Sequence, residues 1–127
     1  MTQVTRQIYI EDLAKLQHSV VAMGEAATLA VKKSMEALLT GNNQLAEEVM
    51  QGDDLIDDMM VDIEDRGMLL IAKQQPIAHD LRIIATSFKL STDLERIGDH
   101  AFDIAKIARD LSGEFAIDVY DTPRLGS

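Results

Sequence analysis

From Tyr9 onward the apolar or small positions run Tyr9, Leu13, Leu16, Val20, Met23, Ala27, Ala30, Ser34, Ala37, alternating steps of four and three residues. Only a helix seam repeats in this way, so the pattern predicts a long first helix. A second row, Ile10, Gln17, Gly24, Val31 and Leu38, recurs every seven residues and predicts contact with two neighbouring helices. Gly41-Asn42-Asn43 stops the helix, the glycine as a C′ residue and an asparagine as the next N-cap. Between about Gln44 and Lys73 a second helix carries Val49, Ile56, Ile63 and Leu70 at seven-residue intervals, with Met59 and Met60 between them. Gln74-Gln75-Pro76 ends it, and Pro76 suits the first turn of a third helix because its missing N–H would be unpaired there anyway. That helix runs to about Leu111. Ile83, Leu90, Leu94, Ile97, Ala101 and Ala108 form one stripe on it, and Leu81, Ile84 and Phe88 begin another.

Three helices of roughly 30 to 35 residues, joined by short turns, predict an all-α, up-down-up bundle over residues 1–111. Residues 112–127 form a tail without a clear period, and Asp121-Thr122-Pro123-Arg124-Leu125 reads as the opening of a further helix. Composition agrees with one globular domain: 127 residues, 46% apolar, two prolines and no tryptophan. Sheet proteins need more frequent turn punctuation than this. The absence of cysteine removes disulfides, thiolate catalysis, cysteine-ligated zinc and iron–sulfur clusters, and suits a reducing, cytoplasmic setting. No apolar run is long enough to span a membrane, and the polar start MTQVTRQIYIED lacks an export signal, so the expectation is a soluble protein without direct membrane insertion. With 22 Asp plus Glu against 12 Lys plus Arg, the net charge of −10 opposes nucleic acid and anionic lipid and favours a basic partner or a cation.

The acidic residues are unevenly placed. Seven of the thirteen residues from Asp53 to Asp65 are carboxylates. At 100° per residue, Asp54, Asp58 and Asp65 point opposite Ile56 and Ile63, an ordinary solvated face, whereas Asp53, Asp57 and Glu64 lie beside the seam. On the third helix Glu95, Asp99 and Asp103 follow one another at i, i+4, i+8 in the sector that Leu81, Ile84 and Phe88 occupy earlier. If helices two and three form a hairpin about Gln75, Asp53 lies level with about Ile97, and Asp57 with about Asp93. Asp53 and Asp57 then meet Glu95 and Asp99 at one height, four carboxylates that repel unless a cation, a basic side chain or water intervenes. An all-oxygen donor set favours magnesium, calcium, manganese or ferric iron and can also hold zinc, with Glu95 and Asp99 as first ligands. From spacing alone, a solvated acidic face paired with Lys and Arg remains the other reading.

Several motifs are excluded. Residues 53–64 have the length of an EF-hand loop, but Leu55 sits at a ligand position and Asp58 at the turn glycine. Ferritin-like di-iron bundles need Glu-x-x-His, which does not occur. His18, His79 and His100 pair with no nucleophile and read as surface or boundary residues, and the methionines at 23, 35, 59, 60 and 68 read as adaptable core. No Gly-rich phosphate cradle is present. A carboxylate-bridged metal hydrolase is the weakest class, for want of a nucleophile, a histidine ligand pair or a substrate pocket.

Gln75-Pro76-Ile77-Ala78-His79-Asp80-Leu81-Arg82, followed by Asp93-Leu94-Glu95-Arg96-Ile97-Gly98-Asp99-His100-Ala101, strongly resembles the PhoU family of bacterial phosphate-signalling regulators. Gly52-Asp53, Asp57 and Glu64 resemble that family's second helix, and the likeness covers roughly Ile8 to Leu111. The resemblance implies a three-helix PhoU domain, usually present twice in a chain of about double this length, so the tail is expected to open a truncated second repeat. It implies Glu/Asp-x-x-x-Asp motifs that bind metal clusters in some members, here Asp53 with Asp57 and Glu95 with Asp99. Many members carry Asn where this chain has Asp103, which either extends the site or adds surface charge.

The resemblance also implies a non-enzymatic negative regulator. When phosphate is plentiful, such a protein keeps a sensor histidine kinase inactive and restrains the high-affinity phosphate ABC transporter through its ATPase subunit. Its cofactor would be a metal ion or cluster of iron, zinc, manganese or magnesium. Arg82 and Arg96 are then the positive members of the partner-binding surface, unless they pair internally with Asp80 or Asp93. A single repeat is further expected to self-associate as a homo-oligomer, such as a dimer. The alternative to the metal-binding regulator is a metal-free helical interaction module.

Overall fold

In the computed structural model the chain forms three α-helices, α1 (Gln3–Thr40), α2 (Asn43–Gln74) and α3 (Ala78–Asp121), and no strand occurs among the described residues. The structure describes residues 3–121, and the side chains of residues 5–111. The all-α class and the three long helices expected from the periodicity are therefore the ones observed.

The helix ends follow from local chemistry. Gly41 adopts φ 70°, the left-handed C′ conformation that glycine takes without steric cost, and its N–H donates to the Ala37 carbonyl at 2.9 Å. The Asn42 side-chain oxygen accepts from the Leu45 N–H at 3.0 Å, which makes Asn42 the N-cap of α2. At the other turn Gln75 is left-handed, with φ 45°. The following proline disfavours a right-handed helical conformation at Gln75, so the chain leaves α2 through the left-handed region despite the Cβ. Here the sequence expectation needs correction: Pro76 precedes the helix and does not occupy its first turn. The Ile77 carbonyl accepts the first helical bond from Leu81 at 2.8 Å, so α3 begins after Pro76 and Ile77.

A second correction lies at the far end, where α3 continues through Ser112 and Gly113 to Asp121 instead of stopping near Leu111. A glycine inside a helix costs only about 1 kcal/mol relative to alanine, too little to end one without a capping arrangement. The reading of 122–125 as a new helix start lies outside the described residues.

The chain divides into two compact units. One comprises α1 as far as Ala27 together with Asp54–Arg96; the other comprises Thr28–Asp53 together with α3 from Ile97 onward. In the first, Leu16, Met23, Ile63 and Ile84 are fully buried, with Ile56 and Leu70 nearly so. Each such side chain contributes about 1.5–3 kcal/mol on leaving water. Gly67 is buried against α3, where a Cβ would overlap the Phe88 ring and stand 3.2 Å from the Ile84 Cγ2. In the second unit the buried cluster is Ala37, Ala46, Val49, Ala101, Ala105 and Ala108, wrapped by Ala30, Val31, Leu38, Leu45 and Met50. Partly exposed ion pairs, Lys33 with Glu48 at 3.4 Å and Arg109 with Glu47 at 3.7 Å, add little to it.

The predicted seams are recovered unequally. All nine positions of the α1 seam are buried or half-buried, and Val49, Ile56, Ile63 and Leu70 of α2 are buried. On α3 the inward line is Ile84, Ser87, Ser91, Gly98, Ala101, Ala105 and Ala108, whereas Leu90 and Ile97 of the predicted stripe are 44% and 40% exposed. Ser87 and Ser91 fit this interior because their hydroxyls donate to the Ile83 and Phe88 carbonyls of their own helix at 2.8 and 2.9 Å. Met35 and Met68 are likewise exposed rather than core, while Met23, Met59 and Met60 are buried or half-buried.

Candidate functional site

Asp53 stands on α2 about 60° round from the buried Ile56, so its side chain leaves the seam edge half-buried, with Oδ1 shut off from solvent. Within the second unit a carboxylate oxygen of Asp99, from α3, lies within 4.8 Å of one from Asp53. Asp57, one turn along α2 and also half-buried, offers an oxygen within the same distance of Asp53. Asp53 and Asp99 were both among the four carboxylates expected at one height, and their oxygens lie close here.

The other predicted ligands are placed differently. Glu95 is half-buried, one turn before Asp99, and is not in that group; Asp103 is exposed and also outside it. Each i, i+4 step turns the side chain 40° further round the helix, so a line that starts beside the seam at Glu95 has rotated to solvent by Asp103. Glu64, beside the seam by angle, is exposed as well. A donor set made only of carboxylate oxygens, one of them buried, fits a hard cation such as magnesium or manganese and also accommodates iron or zinc. It offers no thiolate or imidazole.

Arg82 and Arg96 are both exposed. The two carboxylates that offered them internal pairing are engaged elsewhere: Asp80 accepts the Tyr9 hydroxyl at 2.6 Å, and Asp93 takes Lys89 at 2.9 Å. Arg82 lines a groove of about 420 Å³ in the first unit, between Gln17, Val20 and Val21 of α1 and His79, Ile83, Thr86, Ser87 and Leu90 of α3. Sequence reasoning did not find this groove, because its residues are far apart along the chain and none belongs to a recognisable motif. Of the three exposed histidines only His79 belongs to it.

The Tyr9–Asp80 bond was also not foreseen. Desolvation, then the hydrogen bond to Asp80 and its charge, push the Tyr9 hydroxyl up to about 12. Raising a phenol's pKa on folding means that the neutral form is favoured in the native state. The contribution is therefore fully present below pH 10 and is lost as pH rises through about 12. A Tyr9→Phe variant is expected to lose stability at neutral pH and to show a shallower fall in melting temperature between pH 10 and 12. Parallel alkaline melts that superimposed in slope would refute the assignment.

The structure thus places an acidic group on α2 and α3 of an all-helical domain. The PhoU domain model matches residues 20–108 of the chain. Over 112 residues the chain is 47% identical to a protein of Clostridium acetobutylicum, covering 87% of this chain and 51% of that one. An Aquifex aeolicus protein is 45% identical over 98 residues, covering 77% and 44%. One from Pseudomonas aeruginosa is 33% identical over 114 residues, covering 90% and 47%. Each is named a phosphate-specific transport system accessory protein PhoU homolog. This chain belongs to the PhoU family, and it spans about half the length of the curated relatives it matches. No helix among the described residues is long and apolar enough to cross a membrane.

Proposed function

We propose that this domain is a non-enzymatic accessory regulator of a phosphate-specific transport system, acting in the cytoplasm as a scaffold. When phosphate is plentiful it favours the inactive arrangement of a sensor histidine kinase and restrains the phosphate ABC transporter through its ATPase subunit. A ligand-loaded domain does this by binding one state of its partner better than the other, which is all that a shift of population requires. What supports the reading is the family match, which runs through the helix segments carrying Asp53, Asp57 and Asp99. Asp53 and Asp99 would hold a metal ion, with Asp57 beside them and with Glu95 and Asp103 nearby on α3. Bound there, a cation neutralises the acidic group and presents open coordination positions to a partner's oxygen ligands. Arg82 and Arg96 supply positive charge to the docking surface. Self-association as a homo-oligomer belongs to the same reading.

The test combines elemental analysis with binding. The chain, purified without added metal or affinity nickel, is compared with an Asp53→Asn/Asp99→Asn variant. Calorimetric titration against the transporter ATPase subunit is then run with and without chelator. Stoichiometric iron, zinc, manganese or magnesium in the parent alone, with chelator-sensitive binding, is the expected result. Full metal content in the variant would reject the ligands. Binding indifferent to chelator would transfer the function to a metal-free helical interaction surface, and no binding to either the ATPase subunit or the kinase would remove the regulatory role.

A further inference from the structure

The first unit also holds a small cavity, of about 130 Å³, between α1 and the last turns of α2. It is lined by Asp12, Arg66, Leu69, Leu70, Lys73 and Gln74. That volume takes a few waters or one small polyatomic ion, and it is too small for a drug-sized ligand. Its walls carry opposite charges that do not meet. Among the described residues the side chains of Asp12, Lys73 and Gln74 make no hydrogen bond or ion pair, although Asp12 is half-buried. Arg66 commits only its Nε, to Asp62 at 2.8 Å, which holds the guanidinium in place and leaves its two terminal nitrogens without a protein partner. Arg66 and Lys73 are seven residues apart, two turns along the same face of α2. Lys73 in the last turn also meets the negative end of the helix dipole, but that accounts for neither Arg66 nor Asp12.

The lining is a set of donors facing one acceptor. Two cations against one carboxylate leave the cavity net positive in a protein whose net charge is −10. The guanidinium fork and the ammonium group match the oxygens of a tetrahedral oxyanion, and the Gln74 amide adds two further N–H donors. An ionised carboxylate only accepts, so Asp12 repels a bare oxyanion and favours one that carries a proton. A cationic or zwitterionic ligand fits less well, because its ammonium group would meet one carboxylate and two like charges.

We infer that this cavity binds hydrogen phosphate, with Arg66, Lys73 and Gln74 donating to its bare oxygens and Asp12 accepting from its O–H. Sulfate has the same shape and no proton at neutral pH, so Asp12 excludes it. A phosphate monoester, with a second pKa of about 6, has largely lost its phosphoryl proton at about pH 7.5 and is excluded for the same reason. The inference goes beyond the proposed function and does not depend on it: the cavity shares no residue with the acidic group. Together the two would let the domain read phosphate directly.

The experiment follows the amide chemical shifts of the ¹⁵N-labelled chain during titration with sodium phosphate, sodium sulfate or glycerol phosphate, at constant ionic strength. Saturable shifts around Asp12, Arg66 and Lys73 are expected with phosphate, and binding about tenfold or more weaker with the other two. Arg66→Gln and Lys73→Gln are each expected to weaken phosphate about tenfold or more, as loss of a charged hydrogen bond does. Both positions are exposed, and circular dichroism checks that the helices are retained. Asp12→Asn replaces an acceptor by an amide that can also donate, so it is expected to bring sulfate level with phosphate. Shifts that rise linearly without saturating, or that saturate elsewhere on the chain, would overturn the site. Sulfate or glycerol phosphate bound as tightly as phosphate by the parent would overturn the role of Asp12 and the choice of ligand. Metal content and ATPase-subunit binding are read separately, so failure here is distinct from failure of the regulatory reading.

Discussion

Replacing Gly67 by leucine is expected to destabilise the domain by about 3 kcal/mol or more, read as a fall in the midpoint of urea unfolding. A Cβ at this position would already overlap the Phe88 ring, and the Ile84 methyl stands 3.2 Å away, so the two helices have no room to accommodate a branched side chain. Phe88 is half-buried and its ring can swing outward, which limits the cost of Gly67→Ala. Ile84 is fully buried and cannot yield in the same way. The leucine must therefore push α2 and α3 apart and open the surrounding core. The gain in intrinsic helix propensity on leaving glycine, about 1 kcal/mol, offsets part of this and makes the alanine variant the informative control. A leucine variant as stable as the parent would mean that this close approach is not maintained in solution.

Ile63→Ala is expected to cost about 2–5 kcal/mol through the opposite defect, a cavity in place of an overlap. Ile63 is fully buried in a unit whose other fully buried large side chains include Leu16, Met23 and Ile84, each on a helix that cannot collapse far to refill the space. For a domain of this length, stability of roughly 6–19 kcal/mol is usual, so the substitution removes a substantial share. Val61→Ala, two residues away at an exposed position, is expected to change stability by less than about 0.5 kcal/mol. Equal losses in the two variants would show that burial is not what distinguishes these positions.

The same contrast explains what the sequence could disclose. Ile56, Ile63 and Leu70 announce themselves because large apolar residues at regular spacing have few other uses, and the α1 seam was legible for the same reason. The α3 seam was legible only in part: Ile84, Ala101 and Ala108 were among its predicted positions, but Ser87, Ser91 and Gly98 carry no hydrophobic signal. Their smallness is what allows helices to approach closely, and the serine hydroxyls are satisfied by their own helix. Periodicity therefore favoured the larger residues on α3, some of which turned out to be partly exposed. For the acidic group, helix angle and hairpin register placed Asp53, Asp57 and Asp99 together within about half a turn of helix. The same arithmetic could not decide between Glu95 and Asp99 as the nearer neighbour of Asp53, because one turn of register exchanges them. Tyr9 and Asp80 lie 71 residues apart, and no local pattern connects them.

The alanine-built interior of the second unit has a thermodynamic implication for the carboxylates that sit in it. Alanine offers little area to withdraw from water, so this part of the chain gains less from hydrophobic burial per residue than the Leu, Ile and Met interior of the first. Asp53 and Asp99 belong to this leaner unit, one on each of two helices. The cation proposed to span them would recognise the folded arrangement and not the open chain, in which the two residues are 46 positions apart. Occupancy at a hundred times the dissociation constant would then add about 2.7 kcal/mol to folding by mass action alone. Such an ion would act as a clasp between the two helices, so that metal supply would tune the stability of this unit.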